Sequence, residues 1–301
     1  MKKKIVVTQG IDLYPEQKER LKVLGEVKIY NDLAKTPEEW LNRCKDFDII
    51  CTGKFGLQQK IYELKNVFIS LPFVGVGWLD KEKLEKRNIK VAYSPGCNKD
   101  AVSEWIIGMM INLLREFPRY INIKNLPEHI LPKRTLGLTG KKVCVLGAGN
   151  IGSRVGKICE SFGMEVIFFL RGNNLLQSVK DADIVINCLS QNPTTLKLLD
   201  DKFFSELKDG SYFISVTSPT IYDLEALLSR LGKNIAGAAI DAADAQIGNT
   251  NDPFYKKLLQ NDIVLATPHI AFNTDVTARV ANDIMINNIE AYLEGKQINL
   301  L

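Results

Sequence analysis

The chain has 301 residues, 46% hydrophobic and 25% charged, the profile of a folded globular protein and not of a disordered or fibrous one. At about 100–200 residues per domain, this length predicts two domains, each able to bury its own core. Lys+Arg 39 against Asp+Glu 35 leaves a net charge of +4, too small and scattered to argue for nucleic acid, and no apolar run approaches the roughly 18 residues of a membrane span. Met1-Lys2-Lys3-Lys4 looks like the start of a signal peptide, but only Ile5-Val6-Val7 follows before Thr8, so no secretory leader is predicted.

Short β-rich runs alternate with helical patterns along the chain. Strands are predicted at 4–7, 27–30, 47–51, 67–71 and 89–93, with helices at 15–24, 37–43 and 80–87. Thr36 before Pro37 reads as a cap followed by proline at the first helical position. The segment 101–117 is apolar almost all round, with Val102, Trp105, Ile106, Met109, Met110 and Leu113 among its residues and Asp100 as its expected cap. A helix of that kind is buried, in the core or against another subunit. The stretch 116–140 holds Pro118, Pro127 and Pro132 and reads as a long irregular connection. A second strand series follows at 142–146, 165–170, 183–189, 211–216, 235–240 and 263–266, and a last helix at 274–294. Alternation of this kind predicts an α/β protein of two Rossmann-like, doubly wound parallel-sheet domains.

The six cysteines (Cys44, Cys51, Cys97, Cys144, Cys159 and Cys188) form no C-x-x-C pair, and three lie in apolar strand-like runs. They read as buried free thiols of a cytoplasmic protein. His129 and His269 are the only histidines, so no metal site is expected.

Val143-Cys144-Val145-Leu146 leads into Gly147-Ala148-Gly149-Asn150-Ile151-Gly152 and then a helical 153–162. This is G-x-G-x-x-G in the strand–turn–helix setting that binds a dinucleotide. Gly147 permits the tight turn, Gly149 lets backbone approach a diphosphate, and Gly152 lets the helix pack on the strand. The following strand ends Phe168-Phe169-Leu170-Arg171, without the carboxylate that takes the ribose 2′-hydroxyl of NAD. Arg171 either pairs with a 2′-phosphate, which favours NADP over NAD, or is a solvated loop arginine.

Beside this motif stand Ser94-Pro95-Gly96-Cys97-Asn98 with Ala101-Val102-Ser103-Glu104, Gly237-Ala238-Ala239-Ile240-Asp241, and Thr267-Pro268-His269-Ile270. Together these residues resemble the D-isomer-specific 2-hydroxyacid dehydrogenases, a family that includes phosphoglycerate dehydrogenases and glyoxylate/hydroxypyruvate reductases, over nearly the whole chain. The resemblance implies NAD(P)-dependent hydride transfer between the cofactor and a small 2-keto or 2-hydroxy acid. It implies His269 as proton donor, Asp241 near the nicotinamide carboxamide, and Leu189, Ser190 and Val216 along the cofactor together with Asn150 and Ile151. It implies a discontinuous flavodoxin-like substrate domain of residues 1–98 and 271–301, an NAD(P)-binding domain of 99–270, and a homodimer paired through 101–117.

Two of the family's roles are filled by other residues. The arginine that clamps the substrate carboxylate aligns with Ser218, and the glutamate that holds the histidine aligns with Gln246. Glutamine can hydrogen-bond His269 but cannot stabilise an imidazolium as a carboxylate does; Asp244 stands nearby as a substitute. The segment 71–77 resembles the substrate-binding loop, with Val74 and Gly75 at the carboxylate and a bulky Phe73 where a small residue is usual. Lys54 and Arg134 are candidate replacement cations, or ordinary exposed ones. Two functions remain open: an enzyme with an atypical active site, and an NAD(P)-binding homologue whose catalysis is impaired.

Overall fold

Ile5, Val6 and Val7 are all fully buried, which requires a strand covered on both faces. In the computed structural model, which describes residues 2–117, 134–242 and 247–301, they are the last three residues of β1 (Lys4–Val7). With β2 (Glu26–Ile29), β3 (Ile49–Cys51), β4 (Phe68–Ser70) and β5 (Lys90–Ala92) it builds an all-parallel sheet of order β2-β1-β3-β4-β5. The crossovers carry α1 (Pro15–Leu24), α2 (Pro37–Cys44), α3 (Leu57–Lys60) and α4 (Lys81–Lys86). Thr36 caps α2 as its sequence predicts, its hydroxyl accepting from Glu39 N at 3.1 Å. Trp40 on α2 is fully buried and donates Nε1–H to Thr52 Oγ1 at 2.8 Å, while Thr8 donates to the same oxygen at 2.7 Å.

The second sheet is also all-parallel. Its strands are β6 (Lys142–Leu146), β7 (Glu165–Phe169), β8 (Ile184–Asn187), β9 (Ser211–Ser215), β10 (Ile235–Asp241) and β11 (Val264–Thr267), in the order β11-β10-β9-β8-β6-β7. Helices α5 (Lys99–Leu114), α6 (Asn150–Ser161), α7 (Leu175–Val179), α8 (Asp201–Ser205), α9 (Leu224–Arg230) and α10 (Pro253–Leu258) belong with it. Two core clusters lie in this unit, one around Phe203, Phe204 and Phe213, the other around Ile106, Met110, Val143, Val155 and Ile214. Helix α5 begins at Lys99, so Asp100 lies inside its first turn and is not the cap. It accepts instead from Arg154 Nε at 3.0 Å, which ties α5 to α6. Trp105, Met109 and Ile111 pack on this core while staying partly exposed. No described helix is long and apolar enough to cross a membrane.

The chain divides into two compact units, Met1–Asn98 with Asn273–Leu301, and Lys99–Phe272. The long helix α11 (Asp275–Leu293), capped by Thr274, therefore returns to the first sheet. Its Met285, Ile286 and Ile289 join Ile5, Val7, Ile49 and Phe68 in one core. Polar contacts hold its register: Ser70 Oγ donates to Met285 O at 2.9 Å, Ser94 Oγ to Ala281 O at 3.0 Å, and Asn282 Nδ2 to Ile11 O at 2.7 Å.

Asp183, just before β8, accepts from Lys142 N at 2.9 Å and from Lys208 Nζ at 2.6 Å. Partial burial opposes its charge, but the lysine and the amide outweigh that and hold the carboxyl below its usual range. A carboxylate depressed in the folded state contributes stability above its unfolded pKa of about 3.9, and that stability is lost as pH falls through the folded value. Asp183→Asn should therefore lower stability at pH 7 and lose less of what remains between pH 5 and pH 3, as read by urea unfolding across that range.

Candidate functional site

All strands of the second sheet run the same way, so the loops after β6, β7, β8, β9, β10 and β11 share one edge. The chain order reverses between β6 and β8, and a crevice at such a switch point is where open α/β sheets bind ligands. Gly147 follows β6 with φ +93°, donating its amide to Phe169 O at 3.0 Å. A Cβ at Gly147 would stand 3.3 Å from Cys188 O, so the loops after β6 and β8 touch here. Burial pushes the Cys188 thiol up to about 12, which keeps it neutral beside the glycine loop. All six cysteines are free.

Helix α6 starts at Asn150 with Gly149 as its N-cap and no side-chain capping bond, so its first amides are open to an anion. Gly152 lies against the loop so closely that a Cβ would collide with the Gly147 carbonyl oxygen, whereas a Cβ on Gly149 would meet nothing within 4 Å. A cavity of about 620 Å³ opens at this point, lined by Ala148, Gly149, Asn150 and Ser153 and by Lys99, Arg154 and Lys157 against the single acid Asp100. An uncapped helix end, a loop surface bare of side chains and excess positive charge together suit a dinucleotide's diphosphate.

At the end of β7, Leu170 is half-exposed and Arg171 exposed. Asn173 closes this turn, its Oδ1 accepting from Leu170 N at 2.9 Å and its amide donating to Leu170 O at 3.0 Å. Arg171 makes no ion pair among the described residues. At the end of β8, Asn187 is fully buried and donates to Thr217 Oγ1 at 2.8 Å, while its Oδ1 accepts from Leu189 N at 3.2 Å. This brace joins the ends of β8 and β9 and positions Leu189, Ser190 and Val216. Sequence reasoning missed it; the available signal was a polar residue ending an otherwise apolar strand.

Ser218 is buried and serves its own turn. Its hydroxyl caps the 3₁₀ turn Pro219–Ile221, accepting from Thr220 N at 3.2 Å and lying 2.8 Å from Thr220 Oγ1. Gln246 and Asp244, like His129, lie outside the described residues.

Asp241 ends β10 and is 3% exposed. Its Oδ1 accepts from Thr267 Oγ1 at 2.6 Å and from Ile270 N at 2.9 Å, and its Oδ2 accepts from Ala271 N at 3.1 Å. The loop so held carries His269 with φ +57°, its imidazole edge-on to Phe272 at 5.6 Å between ring centroids.

In the first unit, exposed Lys54 follows β3 and places Nζ 5.7 Å from the Phe73 ring centroid, on the loop of Val74 and Gly75. A Cβ on Gly75 would stand 3.7 Å from that ammonium. The loop is fixed by Trp78 Nε1 donating to Gly75 O at 3.0 Å and Ser94 N donating to Phe73 O at 3.1 Å. Phe73 thus lies under the ammonium as a cation–π partner. Among the described residues Lys54 makes no ion pair; Arg134 is simply exposed.

The family model for the NAD binding domain of D-isomer specific 2-hydroxyacid dehydrogenases matches residues 107–271. D-3-phosphoglycerate dehydrogenase of Escherichia coli (strain K12) is 34% identical over 227 residues, 70% of this chain and 54% of that protein. The chain thus spans about half the length of that curated relative. D-lactate dehydrogenase of Staphylococcus epidermidis (strain ATCC 35984) is 24% identical over 265 residues, 78% of this chain and 80% of that protein. Among solved structures, an acyclic imino acid reductase in complex with NADPH and D-Arg shares the fold, with a TM-score of 0.81, 22% identity and 99% coverage of both chains.

The second and third glycines of the loop differ in what an added methyl meets. Gly152→Ala should cost about 1–3 kcal/mol, because the collision is with backbone that has to move. Gly149→Ala points into open space and should stay within about 0.5 kcal/mol of the parent in denaturant unfolding.

Proposed function

The chain belongs to the D-isomer-specific 2-hydroxyacid dehydrogenases, and on that premise we propose that it is an NAD(P)-dependent oxidoreductase acting on a small 2-keto/2-hydroxy acid pair. The observation that carries this reading is His269, held in a fixed loop on the same sheet edge as the glycine motif. Residues 99–272 take the cofactor: the amides of Gly149, Asn150 and Ile151 face the diphosphate, Gly147 and Gly152 shape the turn, and Leu189, Ser190 and Val216 follow the nicotinamide half, while the Asp241 carboxylate is engaged by the histidine loop. The unit containing Lys54 takes the substrate, with its carboxylate on the Val74 and Gly75 amides and on the Lys54 ammonium. When bound, the reduced nicotinamide supplies the hydride that reaches the carbonyl carbon. His269 delivers a proton to the carbonyl oxygen as negative charge develops there, and the ketone becomes an alcohol. Gln246 aligns with the family's carboxylate, and a glutamine cannot stabilise an imidazolium as a carboxylate does. The proposal includes a homodimer paired through α5, where Trp105, Met109 and Ile111 stay partly exposed, and a cytoplasmic location suited to free thiols.

NADP(H) is the favoured cofactor, because Leu170 offers no acceptor to a 2′-hydroxyl and Arg171, which makes no ion pair among the described residues, suits a 2′-phosphate. Arg171→Ala should weaken NADPH binding about tenfold or more and NADH binding little, by fluorescence titration. Equal effects on both would make Arg171 a solvated loop residue.

A second reading, an NAD(P)-binding homologue of impaired catalysis, is favoured by Ser218, whose hydroxyl is committed to its own turn. Turnover separates the two. The enzyme should reduce glyoxylate or hydroxypyruvate slowly, lose on the order of 100-fold or more in kcat as His269→Asn, and gain rate in the double substitution Ser218→Arg, Gln246→Glu. Cofactor binding with no reduction of any 2-keto acid, and no gain in the double variant, would leave the binding reading.

A further inference from the structure

We propose that Asp241, together with Thr267, is the positioning residue of His269, setting its imidazole through the backbone of the loop that carries it. This rests on the reading of His269 as proton donor. Asp241 and Thr267 are paired neighbours at the ends of β10 and β11. The Thr267 hydroxyl donates to Asp241 Oδ1 at 2.6 Å, so the carboxylate and the start of the histidine loop are joined before the chain turns. Past Pro268 the chain enters the left-handed region at His269, φ +57°. For a side-chain-bearing residue that costs on the order of 1 kcal/mol and needs compensation.

The compensation is visible in the next two amides. A left-handed residue reverses the local backbone so that successive N–H groups converge on one side, the concavity that binds anions. Ile270 N at 2.9 Å and Ala271 N at 3.1 Å both point at the Asp241 carboxylate, one to each oxygen. Two further bonds tie the turn down, His269 N donating to Thr267 O at 3.1 Å and Gly248 N to Pro268 O at 2.8 Å. Asp241 is 3% exposed, so its charge has been withdrawn from water and is satisfied by these three donors. Only an acceptor-only group fits. An asparagine would turn its Nδ2–H₂ toward one of the loop amides, donor against donor, and the left-handed turn would lose its anchor.

The test compares wild type with Asp241→Asn, Thr267→Val and Thr267→Ser. The measurements are kcat and KM for glyoxylate with NADPH, the NADPH dissociation constant, the NMR signal of the His269 ring Cε1–H, and amide exchange at Ile270 and Ala271. With only two histidines in the chain, the ring signal is assignable from His129→Gln. Asp241→Asn should lower kcat about 100-fold and Thr267→Val about tenfold, with NADPH affinity within about threefold of wild type. Thr267→Ser, which keeps the hydroxyl, should restore kcat. The His269 signal should shift or broaden, and both amides should exchange faster, in Asp241→Asn and Thr267→Val only.

The proposal is overturned if NADPH affinity falls in step with kcat/KM while kcat at saturating NADPH holds, since Asp241 is then a cofactor ligand. It is also overturned if the His269 signal is unmoved in both variants. If Asp241→Asn does not fold, the Thr267→Val and Thr267→Ser pair decides. If wild type reduces no 2-keto acid, the proton-donor reading fails, while the ring signal and the amide exchange still decide whether Asp241 and Thr267 set the histidine.

Discussion

A parallel sheet sends the carboxyl end of every strand to the same edge, because each crossover must carry the chain back before the next strand begins. In the second sheet this places the loops at Gly147, Arg171, Leu189, Ser218, Asp241 and His269 along one line, although the chain between the first and last of them spans much of the second unit. Where successive crossovers leave in opposite directions, between β6 and β8, no helix covers the strand ends. The backbone of Gly147 there approaches Cys188 O, and a side chain in that gap would meet main chain. The remaining features of the site follow from that geometry.

The local parts of this arrangement were legible before any coordinates. Strands 4–7 and 142–146 are runs of β-branched and apolar residues, and helix 15–24 opens on proline; all three stand at the residues the sequence predicts. The glycine loop was legible because its three glycines fall within six residues, with Gly147 at positive φ and Gly152 packed against the Gly147 carbonyl. Helix α3 was not, since four residues make about one turn and show no period. Asp100 read as a cap because its chemistry fits one, yet its carboxylate pairs with Arg154, 54 positions away. Distant pairing of this kind has no local signature, and the Asp241 anchor was hidden for the same reason, whereas Asn187 left a trace as the polar end of an apolar strand.

Ser218 has a duty in the fold that its place in the sequence pattern does not show. From sequence it is the place where a clamp is absent. In the fold its hydroxyl accepts the Thr220 amide at the start of a short 3₁₀ turn, a backbone duty suited to a short polar side chain. The turn keeps its shape with serine in that position.

The distribution of charge completes the argument. In the second unit the lysines and arginine near the glycine loop, Lys99, Arg154 and Lys157, are gathered around an uncapped helix end. Asp241 is committed to its three donors, and Ser218 is neutral. In the first unit the cation on the loop after β3, Lys54, rests over Phe73. Arginine fixes both the position and the plane of a carboxylate through its bidentate fork, whereas an ammonium on a flexible stem fixes position alone. On the proposed reading, a carboxylate held by Lys54 would be oriented by the backbone amides of Val74 and Gly75, on a loop whose Gly75 carbonyl is held by Trp78. Substrate orientation would then depend on the rigidity of a loop more than on the reach of a side chain, and anions of different shape could be seated by the same charge.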